Sequence, residues 1–319
     1  PKSPPPLKQA AGEISCTHWC VFTSINLPTD AVQACAKLSH PQPWCTVVVG
    51  DYGGPDKQTW VAAVRHWGLS NASRLIYLDT MDQQRLPYST AKLLPWRHFG
   101  RKNLGYLYAI HHGADVIFDV DDDNVLSEPL PVSLLRGISA TIVGQQSWHV
   151  RQITRWCHGS ALYNPYAHFD LRHYGNVTPA WMPPAWPRGF PVNAVQSSSV
   201  GADVDTTVLE GQAEIDVLQV LAQHEPDVDA IYRMTRPLPA SFARANEVLI
   251  LPPSVYSPMN AQACLFARSA FWAMLLPITV HGRVSDIWRS FFFTRLLRTA
   301  QQRHGFISPL VHQFRNAHD

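Results

Sequence analysis

Short apolar, β-branched runs alternate, through the first half of the chain, with segments whose apolar residues recur at spacings of three and four. This alternation restricts the fold more than any other feature. The runs fall at residues 19–25, 44–51, 73–79, 114–120 and 139–144, and the amphipathic segments between them at 29–38, 55–68 and 100–113. Strand followed by helix, repeated, predicts an α/β fold with a mostly parallel central sheet covered on both faces. Of the 319 residues 46% are hydrophobic, enough to fill a large core as one domain or two close-packed halves. The region from 168 to 191 is dense in proline and aromatics, and long helices are not expected there.

The fourth run ends in an acidic cluster, "DVDDDN", with Asp119, Asp121, Asp122 and Asp123 in close succession. Ligands of parallel sheets bind beyond the carboxyl ends of the strands, which gives this cluster a functional location. So many carboxylates at the end of a buried strand repel one another and resist desolvation unless they are solvated or neutralised by a cation. Side chains two apart on a strand share a direction, so Asp121 and Asp123 can face one site while Asp122 turns aside. Mg²⁺ or Mn²⁺ held by one or two carboxylates completes its shell with water and substrate phosphates. The preceding segment opens with Arg101, Lys102 and Asn103, a basic first turn suited to an anion. A diphosphate clasped between the two features follows.

Charge narrows the partners. The formal charge is +2, and no run of Lys or Arg forms a nucleic-acid or membrane patch. The most apolar segment, residues 269–280, is too short to span a bilayer and contains Pro277. Residues 1–15 read as the remnant of a Pro-rich linker from a longer protein. The six cysteines, Cys16, Cys20, Cys35, Cys45, Cys157 and Cys264, permit 15 complete pairings and include no C-x-x-C, so buried free thiols are expected for most. Two sequons, at Asn71 and Asn176, are compatible with a lumenal protein.

The segment "RKNLGYLYAIHHGADVIFDVDDDN" resembles the core of the STELLO-type glycosyltransferase-like proteins, and more widely that of GT-A nucleotide-sugar transferases with an Asp-x-Asp motif. The likeness continues through "VVVGDYGGPDKQTW", "WPRGFPV", "DVDAIYRMTRP" and residues 256–292, and so covers roughly residues 19 to 300. It implies a GT-A-like fold, with residues 16–150 as the nucleotide-sugar-binding half and 151–319 as the acceptor-binding and catalytic half. It also implies a type II Golgi protein whose anchor lies outside this chain and whose catalytic domain faces the Golgi lumen; plant members associate with cellulose synthase complexes.

Roles follow from the resemblance residue by residue. Thr23, Ser24, Asp51 and Lys57 would meet the base, ribose or phosphate of a UDP-sugar, together with Arg101, Lys102, Asn103, Asp121 and Asp122. Asp121 and Asp123 would serve a Mn²⁺ or Mg²⁺ ion, with His281, His304 and His312 as lesser candidates. Arg188, Asn260, Gln262 and Trp288 would contact donor sugar or a glycan acceptor. An inverting transfer needs a base for the acceptor hydroxyl. Asp286 is the first choice, ahead of Glu210, Asp227 and Asp229. The functional expectation is a metal-dependent inverting glycosyltransferase; the alternatives are a UDP-sugar mutase of the reversibly glycosylated type and a non-catalytic carbohydrate-binding scaffold.

Overall fold

The structure is a computed structural model, and it describes residues 16–39, 43–69, 72–138, 148–156, 162–173, 185–195, 204–209, 213–236 and 238–315. The strand expected at 139–144, the sequon asparagines Asn71 and Asn176, Cys157, Glu210 and the linker at 1–15 lie outside the described residues.

The first half folds as its alternation predicts. Strands β1 (His18–Ser24), β2 (Trp44–Gly50), β3 (Leu75–Leu78) and β4 (Val116–Val120) are parallel neighbours in the order β3-β2-β1-β4. Their period-two alternation feeds two cores. Val21, Val47 and Val49 pack on one face of the sheet, while Cys20, Phe22 and Val48 pack on the other. Helix α1 (Asp30–Ala36) is capped by Thr29, whose hydroxyl accepts from Val32 N, and it buries Ala31, Val32 and Cys35 on the second face. Helices α2 (Lys57–Val64) and α3 (Thr80–Arg85) are capped in the same way by Asp56 and Asp79.

Helix α4 (Lys102–His111) covers the first face. It sits unusually low because Gly105 has no side chain: a Cβ there would come within 2.5 Å of Val21 Cγ1 and 3.0 Å of Val49 Cγ2. That close approach brings the first turn of α4 beneath the end of β4.

The second half joins the same sheet with mixed directions. After β5 (Asn124–Leu126) come β6 (His149–Trp156), β7 (Leu171–His173), β8 (Val204–Val208), β9 (Val217–Gln223), β10 (Ala240–Phe242), β11 (Glu247–Leu251), β12 (Ala263–Ala267) and β13 (His304–Gln313). Among the described residues the main sheet has 11 strands, continuing from β4 through β12, β9, β13, β11 and β6 to β8, with β5 on β13. β12 runs antiparallel to both β4 and β9, and β13 antiparallel to β11, so the sheet is less parallel than its first half suggests. These pairings join residues far apart in sequence, and no local pattern reports their direction. β7 and β10 form a separate two-stranded ladder.

The helices of this half are α5 (Pro165–His168), α6 (Val192–Val195), α7 (Ala230–Thr235) and α8 (Gly282–Ala300). Between 165 and 195 only the four-residue α5 and α6 form among the described residues, as the prolines there require. The longest helix of the described residues, α8, begins at Gly282, after His281 as N-cap. No helix of the described residues is long and apolar enough to cross a membrane.

Cys16 and Cys45 form a disulfide that ties the start of β1 to β2, with their Cα atoms 5.9 Å apart. Cys20, Cys35 and Cys264 are buried free thiols.

His304, at the start of β13, is fully buried, and neither ring nitrogen has a hydrogen-bond partner among the described residues. Burial lowers its pKa from 6.5 to about 4. Above pH 6.5 the folded and unfolded states bind no proton here. Below it the unfolded chain protonates first, so stability falls as pH falls from 6.5 towards 4, by roughly 3 kcal/mol at the lower end. His18, whose pKa burial also lowers to about 4, adds to the same trend. Urea denaturation from pH 7 to 4 should show this slope, and His304→Leu should flatten it; an unchanged slope in the variant would remove His304 as a source.

Candidate functional site

The carboxyl end of β4 opens into a cavity of about 400 Å³. Asp121, Asp122, Asp123 and Thr23 line one side, and Arg188, Asp227, Asp286, Arg233, Arg283 and Arg315 much of the remainder. Two chain halves distant in sequence thus converge here, the first supplying the acidic wall and the second the basic one.

The acidic wall rests on buried charges. Asp119 points into the core and is fully buried, as is Lys102. Lys102 Nζ lies 2.6 Å from Asp119 Oδ1 and 3.0 Å from Asp121 Oδ1, and it donates to the carbonyl of Val120 at 2.9 Å. Arg289, from α8, closes the row with Nη1 2.9 Å from Asp119 Oδ2. Cation and anion therefore alternate from Arg289 through Asp119 and Lys102 to Asp121, where the row reaches the cavity.

Burial raises the carboxyl of Asp121 to about 7 in spite of Lys102, and neighbouring Asp123 and Asp119 push the same way. Asp123 is raised too, by burial and by Asp122, against a hydrogen bond from Gln313 Nε2 at 3.2 Å. Asp122 turns towards the loop after β1: it accepts from Ser24 Oγ, and from Asn26 Nδ2 at 3.0 Å. Thr23 Oγ1 donates to Val49 O at 3.1 Å, which fixes it at the cavity edge.

On the opposite wall Arg188 forks between two carboxylates. Its Nη2 lies 2.6 Å from Asp286 Oδ2 and 2.9 Å from Asp227 Oδ2. The loop that carries Arg188 lies against α8 because of Gly189, whose φ is +83° and whose Cβ, if present, would be 2.4 Å from Ile287. Burial works to raise the Asp286 carboxyl, but Arg188 and the backbone N–H of Ala261 outweigh it and hold Asp286 below the usual carboxylate range. Asn260 Nδ2 donates to Asp227 at 2.8 Å, and Gln262 donates to Gln313 across the cavity floor.

Not every residue singled out in the sequence reaches this cavity. Arg101 is buried behind it, donating to Gln83 Oε1 and Leu94 O, with its guanidinium 3.4 Å over the Trp96 ring. Asn103 clamps the 276 loop through paired bonds to Leu276, both 2.9 Å. The basic turn of α4 therefore braces the site from below, because the close packing at Gly105 draws it under the sheet.

Asp51 accepts from the backbone N–H groups of Tyr52 and His98, and Lys57 pairs on the surface with Asp82 at 2.6 Å. Trp288 is 49% exposed on α8 beside Phe292, away from the cavity lining. Asp229 caps α7, His281 caps α8 and His312 stacks on Phe314. Among the described residues no three His, Cys, Asp or Glu side chains converge as a metal site. Arg233 and Arg289 lie within the resembling blocks without being singled out, Gln313 and Arg315 lie outside them, and all four emerge through the packing of α7, α8 and β13 on the rest.

No family model matches the chain. It is 29% identical over 304 residues to "Probable glycosyltransferase STELLO2" of Arabidopsis thaliana, and equally to "Probable glycosyltransferase STELLO1" of the same plant. Each match covers 93% of this chain and 35% of the relative, so the chain spans about a third of the length of the curated relatives it matches. The similarity agrees with the STELLO-type resemblance carried by the sequence blocks.

Removing Lys102 isolates Asp119 and Asp121 from their shared cation. Lys102→Met is expected to lower stability by about 3–5 kcal/mol, the cost of breaking a buried pair from one side. Urea unfolding checks this, and a loss below about 1 kcal/mol would mean that the charge row contributes little to the fold.

Proposed function

We propose that this chain is the catalytic domain of a metal-dependent, inverting glycosyltransferase that uses a nucleotide sugar, most simply a UDP-sugar. The observation that carries the reading is a cavity at the carboxyl end of a parallel β-strand, with three adjacent aspartates on one wall and an arginine-held carboxylate on the other. The relatives' printed names support the transferase class.

The acidic wall suits a hard divalent cation. Asp121 and Asp123 are both raised by burial and by neighbouring aspartates, a cost that a bound cation relieves. Two carboxylates, with no third His, Cys, Asp or Glu converging on them among the described residues, match an ion that draws its remaining oxygens from water and a diphosphate. Bound there, Mn²⁺ or Mg²⁺ would neutralise charge on the departing diphosphate. Asp122, tied to Ser24 and Asn26 beside β1, lies where ribose hydroxyls would find acceptors.

Asp286 is the base. Arg188 keeps it ionised and fixes both its oxygens, so it faces an acceptor hydroxyl as an oriented carboxylate, with its basicity reduced by the same contacts. As that hydroxyl oxygen bonds to the anomeric carbon, the bond from carbon to the diphosphate oxygen breaks and the proton passes to Asp286. Because the incoming oxygen and the leaving diphosphate stand on opposite sides, the anomeric configuration inverts. A Golgi-lumenal setting accords with the Cys16–Cys45 disulfide, since such bonds persist in oxidising compartments.

Incubation with a panel of UDP-sugars, Mn²⁺ and hydroxyl acceptors tests the reaction class. Transfer to an acceptor supports the proposal, ring-isomerised nucleotide would assign a mutase, and neither would leave a binding scaffold. Asp123→Ala should abolish Mn²⁺-dependent UDP binding in calorimetry; unchanged binding would exclude Asp123 as a ligand. Asp286→Asn should keep UDP affinity while transfer falls about 10²–10⁴-fold, and near-normal turnover would rule Asp286 out as base.

A further inference from the structure

Behind Asp227, on the same side of the cavity as Asp286, Arg233 from α7 and Arg315 just after β13 share one carboxylate. Glu225 Oε2 lies 3.1 Å from Arg233 Nη1 and 3.7 Å from Arg315 Nε. Asp227 does not make up the difference. It is already bound by Arg188 at 2.9 Å and by Asn260 at 2.8 Å, and Arg315 approaches it no closer than 3.7 Å. The Nε of Arg315 is buried with no hydrogen-bond partner among the described residues. A third guanidinium, Arg283 at the start of α8, also lines the cavity, is exposed and makes no ion pair among the described residues.

The guanidiniums of Arg233 and Arg315 repel one another across the Glu225 they share, with Asp227 reaching Arg315 only at 3.7 Å, and burial strengthens that repulsion. The pKa of Arg233 accordingly falls, through burial and then through Arg315. An oxyanion with two or more acceptor oxygens would relieve both the repulsion and the idle donors, as arginine forks do for carboxylate and phosphate.

We propose that Arg233 and Arg315, with Arg283 at the mouth, form an oxyanion subsite that receives a carboxylate or phosphate borne by the acceptor, so that the acceptor is an acidic sugar or a phosphorylated one. The assignment to the acceptor rests on the glycosyltransferase reading, because Asp227 and Arg188 link this subsite to the proposed base, Asp286, although Arg315 also adjoins Asp123. The same chemistry would suit the diphosphate of the donor, and the experiment separates the two.

The protein is saturated with UDP and Mg²⁺ and titrated with glucuronate, with glucose as the neutral control, by ligand-observed NMR. A parallel calorimetric titration measures UDP itself. Glucuronate is expected to bind and glucose not to. Arg233→Gln and Arg315→Gln should each weaken glucuronate by at least ~10-fold while UDP affinity changes by less than ~2-fold. Glu225→Gln, which removes the carboxylate that both guanidiniums share, should tighten glucuronate; this variant keeps the test decisive if an arginine variant misfolds.

Equal binding of glucuronate and glucose, or glucuronate affinity indifferent to all three substitutions, overturns the subsite. Loss of UDP affinity in Arg233→Gln or Arg315→Gln overturns its assignment to the acceptor and gives it to the donor diphosphate. If UDP fails to bind at all but glucuronate depends on Arg233 and Arg315, the oxyanion subsite stands and the nucleotide-sugar reading falls.

Discussion

Everything at this site depends on a row of buried charges running from α8 to the cavity: Arg289, Asp119, Lys102 and Asp121. Asp119 and Lys102 have no exposed side-chain surface, so each needs the other, and neither tolerates a change of position. The row pins three elements together, because α4 supplies Lys102, β4 and the residue just after it the two aspartates, and α8 the arginine. Moving α8 away would take one of its two cations from Asp119, and lifting α4 would take the other and leave Asp121 without Lys102. The same contacts set the electrostatics of the cavity, since Lys102 offsets only part of the burial and crowding that raise Asp121.

A second constraint faces the first across the cavity. Arg188 is held by Asp227 and Asp286, and its backbone is held against α8 by Gly189. α8 thus enters both walls, through Arg289 on the acidic side and Asp286 on the basic side, three residues apart on one helix. A ligand spanning the cavity would contact walls whose spacing is set by a single rigid element. Under the proposed transfer, such fixed spacing would help to bring a leaving group and an acceptor hydroxyl into line.

Much of this was legible in the sequence, but unevenly. The parallel strands β1 to β4 declare themselves because strands covered on both faces are apolar at every position, and Val47–Val49 and Val116–Phe118 show it. The acidic cluster declares itself because charge at the end of such a strand is costly without a purpose. Less was legible for Arg101, Lys102 and Asn103. Their charge suggests a ligand-facing turn, yet all three are buried, because Gly105 lets α4 sink against Val21 and Val49. A glycine inside a helix is a weak signal in isolation; only the sheet beneath it shows how close the approach becomes. Arg233 lies within the resembling block "DVDAIYRMTRP" but nothing singles it out there, and Arg315 has no signal at all until α7 and the end of β13 bring both to Glu225.

The sequence by itself determined the alternation of the first half, the position of Asp121 to Asp123 at a strand end, and the irregular course of the proline-rich segment. These are consequences of local periodicity and of the fixed geometry of proline. The tertiary structure alone decided which charges are neutralised and by what: Lys102 under Asp121, Arg289 on Asp119, and Arg188 between Asp227 and Asp286. Pairing energies of buried charges depend on a few ångströms between residues up to 170 positions apart, and no local pattern encodes such a distance.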